Sequence, residues 1–316
     1  MRDTAQALRN LLAMLAMLTA MVWCSCAAAA APAAKAEEPL VLGINEGATD
    51  NKNADELRKQ YASLAKVLSR LVGRPVTVEP YVDVALFRRR FDEGAFHFAF
   101  GKSVHVVARG VVAGKYVPVV KNEKPYVAGF VVQKGSPVTS LRDLRGKTLV
   151  LPPADTYTAA LVETAINESG VPYVVQDEAT GYSLPRADTI AVRHFRIQDN
   201  VAKAVSVGLY PAGAVNPSVV ARVEKQEKEG GMKWKDTELI ADGPGVQVLA
   251  KLKPQTGWLL VANAGMPPEL VQRAVDSLTS LSSHDEGKQI LRDIGCANLV
   301  RSTREEYVAL IKYLYH

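Results

Sequence analysis

Only three cysteines occur in the 316 residues, and two of them, Cys24 and Cys26, lie close to the N-terminus. With that segment set apart Cys296 stands alone, so no intrachain disulfide can form and the fold must rest on its apolar core. Histidine is nearly as scarce. His97, His105, His194, His284 and His316 are scattered, and the spacing from His97 to His105 matches no metal-ligand pattern, so neither a metal nor another cofactor is expected.

Catalytic signatures are missing too. The chain has no Gly-x-Ser-x-Gly elbow, no Gly-x-x-x-x-Gly-Lys-[Ser/Thr] phosphate loop, no Cys-x-x-Cys pair and no His-Glu-x-x-His. Nor is there a basic stripe. The densest run, Arg88-Arg89-Arg90, is answered at once by Asp92-Glu93, and the formal net charge is only +5. These features argue against nucleic acid as a partner.

What the N-terminus does contain is the three-part layout of a secretory signal. Arg2 and Arg9 precede an apolar run from Leu11 to Val22, and Ala34-Lys35-Ala36 supplies small residues for cleavage after Ala36. The run is shorter than the ~20 residues of a membrane span. Residues 1–36 are therefore expected to be a signal peptide and the mature protein to be periplasmic. A lipid on Cys24 or Cys26 is the alternative, though Met21-Val22-Trp23 and Trp23-Cys24-Ser25 match a lipobox poorly. Cleavage removes Arg2, Arg9, Lys35 and Asp3, so 38 basic and 33 acidic residues become 35 and 32.

Beyond the signal, strand and helix patterns alternate. Leu40 to Ile44 reads as a strand, followed by loop residues 45–50. From Asp55 the residues Leu57, Tyr61, Leu64, Ala65, Leu68, Leu71 and Val72 fall on one helical face stopped by Gly73 and Pro75. Val76 to Val82 (strand), Val84 to Glu93 (helix) and Phe96 to Phe100 (strand) continue the alternation. After Tyr126 come a strand at Val127 to Gln133, a short helix at Leu141 to Leu144, a strand at Thr148 to Leu151 and a helix at Tyr157 to Ser169. A helix at Asp199 to Val207, a strand near Gly213 to Val215 and a charged helix at Pro217 to Glu229 follow. Asp242-Gly243-Pro244-Gly245 breaks the chain before a strand at Val246 to Leu252 that reads as returning to the first lobe. The remainder reads as mainly helical: Pro267 to Leu281, Asp285 to Ile294 and Thr303 to Tyr315. Such alternation predicts βαβ units whose crevice lies beyond the carboxyl ends of the strands.

At those ends lie two segments with two readings each. Asp155-Thr156-Tyr157-Thr158 stands where a strand turns into a helix, so its N–H groups and hydroxyls either hold an anion or simply cap the helix. Gly101-Lys102-Ser103 poses the same choice with an added positive charge. Tyr126, near the crossing between lobes, either closes on a ligand or packs there. Cys296, Trp234 and Trp258 read as packing residues.

The order of segments resembles the phosphate/phosphonate-type substrate-binding proteins of ABC importers. The resemblance is carried by the helix at 55–72 ending in Gly73-Arg74-Pro75-Val76, by Phe98-Ala99-Phe100-Gly101, and by Val131 to Val138 followed by Ser140-Leu141-Arg142-Asp143-Leu144-Arg145-Gly146-Lys147. It continues through Ala204 to Gly208, Ala212 to Val215, Met266 to Leu270 and Glu286 to Leu291. It implies an α/β fold of the type II periplasmic binding class: two Rossmann-like lobes joined by a two-strand hinge, with 37–131 plus 246–316 in lobe one and 132–245 in lobe two. It implies a non-enzymatic, monomeric receptor that captures a small oxyanion, phosphonate, phosphate or phosphite, and delivers it to an importer permease.

Carried over by position, the family's hydroxyl-rich anion site falls on Asp155, Thr156, Tyr157 and Thr158, and the first-lobe loop on Lys102 and Ser103. Glu46, Tyr126 and Asn216 complete the expected ligand contacts. Asp155 stands where the family has serine, and would repel an anion unless it caps the helix, pairs with Lys102 or meets a cationic ligand group. Alternatives are another oxyanion or a small zwitterion as ligand, and a role presenting solute to a membrane sensor kinase. An enzyme on a similar frame would need a committed acid, base or nucleophile, and Glu46 and Asp155 are lone carboxylates.

Overall fold

The computed structural model describes residues 38–47, 52–176, 185–221, 225 and 245–315. The signal peptide read at 1–36, Ala48 to Asn51, most of the charged helix after Ala221 and the Asp242 to Pro244 breaker lie outside the described residues.

The first half alternates, as expected through β3: β1 (Leu40–Asn45), α1 (Ala54–Val72), β2 (Val76–Tyr81), α2 (Val84–Asp92) and β3 (Phe98–Gly101), followed by α3 (Val104–Val112) and β4 (Tyr116–Asn122), which the sequence reading did not assign. Helix α1 begins where Asn53 Oδ1 accepts from the Asp55 and Glu56 amides while Glu56 accepts from the Asn53 amide, a reciprocal cap. It ends at Gly73, whose φ of 71° is open to glycine at little cost. Its buried face, Leu57, Tyr61, Leu64, Ala65 and Leu68, is the periodic one.

The middle of the chain forms β5 (Gly129–Gln133), β6 (Thr148–Leu151), α4 (Tyr157–Glu168), β7 (Tyr173–Gln176), β8 (Ile190–His194), α5 (Asp199–Ser206), β9 (Ala212–Val215) and β10 (Val246–Lys251). The last part adds β11 (Leu259–Asn263), α6 (Pro268–Thr279), α7 (Asp285–Asp293), β12 (Leu299–Arg301) and α8 (Arg304–Tyr315).

Among the described residues the strands make two six-stranded sheets, in the orders β12-β4-β11-β3-β1-β2 and β10-β5-β9-β6-β8-β7. β1, β2 and β3 run parallel, as do β6 to β9, while β11, β12, β5 and β10 are antiparallel to their neighbours. This is the mixed α/β, two-lobed architecture of the type II periplasmic binding class.

Sheet membership departs from expectation at β10, and at residues 129–131, which belong with the rest of β5 to the second sheet. β10 does not return to the first sheet but pairs with β5 along its whole length in the second. The chain re-enters the first sheet only at β11. The crossings are Tyr126 going out and Gln255 coming back, joined by an antiparallel bridge of two backbone hydrogen bonds at 2.9 and 3.0 Å.

Several elements were not legible from pattern. α3 reads Val-His-Val-Val-Ala-Arg-Gly-Val-Val, which β-branched propensity would make a strand. It is helical because it is buried on nearly every side, through Val104, His105, Val106, Val107, Ala108, Gly110 and Val111. β7, β8, β11 and β12 are short, and they and the longer β4 lie in stretches without alternation. Helix α8 packs on both α3 and α4, and its Tyr307 and Leu310 join one apolar cluster that runs from Phe87 and Phe91 to Leu149 and Leu161.

Candidate functional site

Parallel pairing of β1 with β3 sets Asn45 opposite Gly101. The next residue of each strand, Glu46 and Lys102, therefore leaves the carboxyl edge of the sheet beside the other. Lys102 Nζ lies 2.5 Å from Glu46 Oε2, with both side chains buried. The other carboxylate oxygen accepts from Tyr61 Oη and, at 3.2 Å, from Gln60 Nε2, both from α1. The ammonium also sits 4.2 Å from the centre of the Trp258 ring, a favourable cation–π position. Gly101 is required here, since a Cβ would come within 2.4 Å of Val107.

This pair forms part of the wall of a cavity of about 520 Å3 between the two sheets. From the first-sheet side come Glu46, Lys102, Ser103, Asn122 and Trp258; from the other come Thr156, Tyr157, Asn216 and Ser218, with Tyr126 at the crossing. Helix starts face it from both sides. Ser103 precedes α3 but makes no side-chain cap, and its buried Oγ has no hydrogen-bond partner among the described residues. Thr156 caps α4, its Oγ1 accepting from the Ala159 amide at 3.2 Å and donating to the Pro153 carbonyl at 2.7 Å. Asn216 Oδ1 accepts from the Val219 amide at 2.9 Å, where a helical segment begins at Pro217. Orphan N–H groups and the helix dipole make such starts attractive to anions.

Of the nine residues read as ligand contacts, seven thus line one cavity: Glu46, Lys102, Ser103, Tyr126, Thr156, Tyr157 and Asn216. Thr158 stands behind them, fully buried, its Oγ1 2.6 Å from Tyr126 Oη. Tyr157 packs on Tyr126 with ring centres 4.8 Å apart and donates to the Thr256 carbonyl at 3.4 Å. Burial raises the phenol pKa of Tyr126 and of Tyr157, so both remain neutral.

Asp155 is the exception. It neither caps α4, which Thr156 does, nor pairs with Lys102, which Glu46 does. It is exposed and lines a second cavity of about 370 Å3 with Arg88, His105, Arg109 and Glu163. There the imidazole of His105 is brought down to about 4 by burial and by the charges of Arg109 and Arg88. His194 on the same side lies 3.3 Å from Glu163. Burial alone would lower its pKa, but the bonds to Glu163 and to the Pro152 carbonyl outweigh that and raise it.

Trp258, Asn122, Lys124 and Ser218 were missed as cavity residues. Their common trait is position: they lie at or just after a strand end or a crossing, which becomes visible only when β4, β11 and the hinge are assigned. Cys296, read as a packing residue, is buried against the same cavity, and burial pushes its thiol up to about 12.

A family model described as "ABC transporter, phosphonate, periplasmic substrate-binding protein" matches residues 47–307. The chain belongs to this family. Its members are transport receptors, not enzymes, and their work implies a small-molecule ligand and a membrane permease. Solved structures agree on the fold. XAC2383 from Xanthomonas citri bound to ATP superposes with a TM-score of 0.69 at 18% identity, covering 87% of this chain and 96% of that one. PhnD1 from Prochlorococcus marinus in complex with methylphosphonate gives 0.62 at 14%, covering 87% and 97%. A binding protein component of an ABC phosphonate transporter from Pseudomonas aeruginosa, PA3383, gives 0.58 at 15%, covering 88% and 86%. No curated protein matches the sequence. For this phosphonate-binding family member, no described helix is long and apolar enough to cross a membrane.

Proposed function

We infer that this protein is an exported, non-catalytic receptor that closes two lobes over a small oxyanion, a phosphonate, phosphate or phosphite, and hands it to the permease of an ABC importer. In this reading β1 to β4, β11 and β12 belong to lobe one and β5 to β10 to lobe two, with the boundary at Tyr126 and Gln255.

The observation that carries it is the cavity between the sheets, with helix starts from both sides and the buried Ser103 Oγ, which has no partner among the described residues, facing it. Membership of the phosphonate-binding family supports the ligand class, and the N-terminal layout of residues 1–36 supports export. A thermal-shift screen against phosphate, phosphite, methylphosphonate, aminoethylphosphonate and sulfate tests the reading. A ligand at about 100 times its Kd adds about 2.7 kcal/mol, a shift of a few degrees for a chain of this size. A selective shift without turnover is expected; a flat screen defeats the oxyanion assignment. Mass spectrometry of exported protein should find Glu37 as its first residue.

A further inference from the structure

The cavity contains a charge arrangement that the family description does not call for. Resting on the oxyanion reading above, we propose that the Glu46–Lys102 pair sets the charge state of the ligand, so that a singly charged, protonated oxyanion is accepted in preference to the doubly charged one.

Lys102 is the buried cation of the cavity wall, and its charge is already answered at 2.5 Å by Glu46. An oxyanion approaching Lys102 meets the carboxylate's field as well, so attraction and repulsion largely cancel for each unit of ligand charge. The pair is not easily opened. Tyr61 and Gln60 hold the second carboxylate oxygen, the Lys102 amide donates to the Asn45 carbonyl at 2.8 Å, and the Trp258 ring lies under the ammonium.

What remains for the anion is dipolar: the starts of α3 and α4, each worth about half an elementary charge, and Ser103 Oγ, which can donate to a charged ligand oxygen or accept from a protonated one. Such donors suit one negative charge. A second must be stripped of water where, among the described residues of the wall, the buried cation Lys102 is already paired. Lys124, the other cation among the described residues of the wall, is exposed, so solvent screens it.

The experiment is calorimetric titration of the purified protein with methylphosphonate and with its monomethyl ester, from about pH 6 to about pH 8.5, a range spanning the second ionisation of phosphoryl oxyanions. The ester keeps one charge throughout. Its binding therefore reports any titration among the groups that face the pair: Tyr61 from α1, Cys296 after α7, Lys124 after β4, and Tyr126 and Tyr157 at the hinge.

The expected result is a Kd for methylphosphonate that rises about tenfold per pH unit above the ligand's second ionisation, while the ester's Kd stays level. In Glu46→Gln, with Lys102 released, the dianion should bind about tenfold tighter than to the parent protein at the upper pH, a change of about 1.4 kcal/mol. A methylphosphonate Kd that is level or falls with pH, with the ester at least tenfold weaker, overturns the proposal. Should Glu46→Gln fail to fold, the pH series on the parent protein decides alone. Silence from both ligands and from phosphate and phosphite overturns the oxyanion reading itself, and this inference with it.

Discussion

Tyr126, on the outgoing crossing between the sheets, shares a hydrogen bond of 2.6 Å with Thr158 in the first turn of α4. The helix start that faces the cavity is thereby tied to the hinge. Tyr126→Phe leaves the buried Thr158 hydroxyl without this partner and should cost about 1–3 kcal/mol. Urea unfolding of Tyr126→Phe, Thr158→Val and the double variant checks this, since a real bond makes the double loss smaller than the sum of the single ones.

His105 predicts a pH dependence of stability. Its folded pKa, about 4, lies below the ordinary 6.5, so the fold prefers the neutral ring and the unfolded chain binds the proton first. Its contribution is fully present above pH 6.5 and is lost as pH falls towards 4, by about 3 kcal/mol at most. Melting temperatures from pH 7.5 to 4.5 should fall more steeply for the parent than for His105→Leu; parallel curves would remove this role.

The buried pair gives a third expectation. Lys102→Met strips Glu46 of its counter-charge and should destabilise by about 3–5 kcal/mol. Adding Glu46→Gln should recover more than half of that loss in chemical denaturation. If the double variant is less stable than Lys102→Met, the carboxylate is not what makes the single change costly.

Gly101→Ala is expected to cost about 1–3 kcal/mol, because its Cβ would lie 2.4 Å from Val107 Cγ2 and push α3 from β3. A melting curve unchanged from the parent would mean that Val107 yields freely.

Cys296 should be inert in the native protein. Its thiol is held up at about 12 and is buried, whereas the thiolate is the reactive form. A maleimide probe at neutral pH should label it slowly, and rapidly in denaturant; equal rates would contradict its burial.

Where local chemistry decides the structure, the sequence was legible. Helix α1 carries its own cap at Asn53, its periodic face and its stop at Gly73, and it stands where these place it. β10 was assigned to the wrong sheet because Val246 to Lys251 contains nothing that names a partner; its pairing with β5 is a long-range fact. α3 defied its valines because burial on nearly every side outweighs intrinsic propensity. At the site, Lys102, Ser103 and Thr156 could be placed on one cavity because strand-to-helix turns are readable, whereas Asp155 faces the second cavity, and Trp258, which packs as read, lines the first as well. One residue along the chain separates Asp155, facing the second cavity, from Thr156, facing the first, and no pattern of residue types resolves that step.

Helix α8 lies against both α3 and α4, and its Tyr307 and Leu310 belong to an apolar cluster shared by both halves. The two peptide crossings are thus supplemented by a strut that is not a crossing at all. Mechanically, two adjacent ribbons alone resist twisting poorly, whereas a third, offset support resists it. Helix α8 is therefore a brace: without Arg304 to Tyr315, α3 and α4 would lose the support they share.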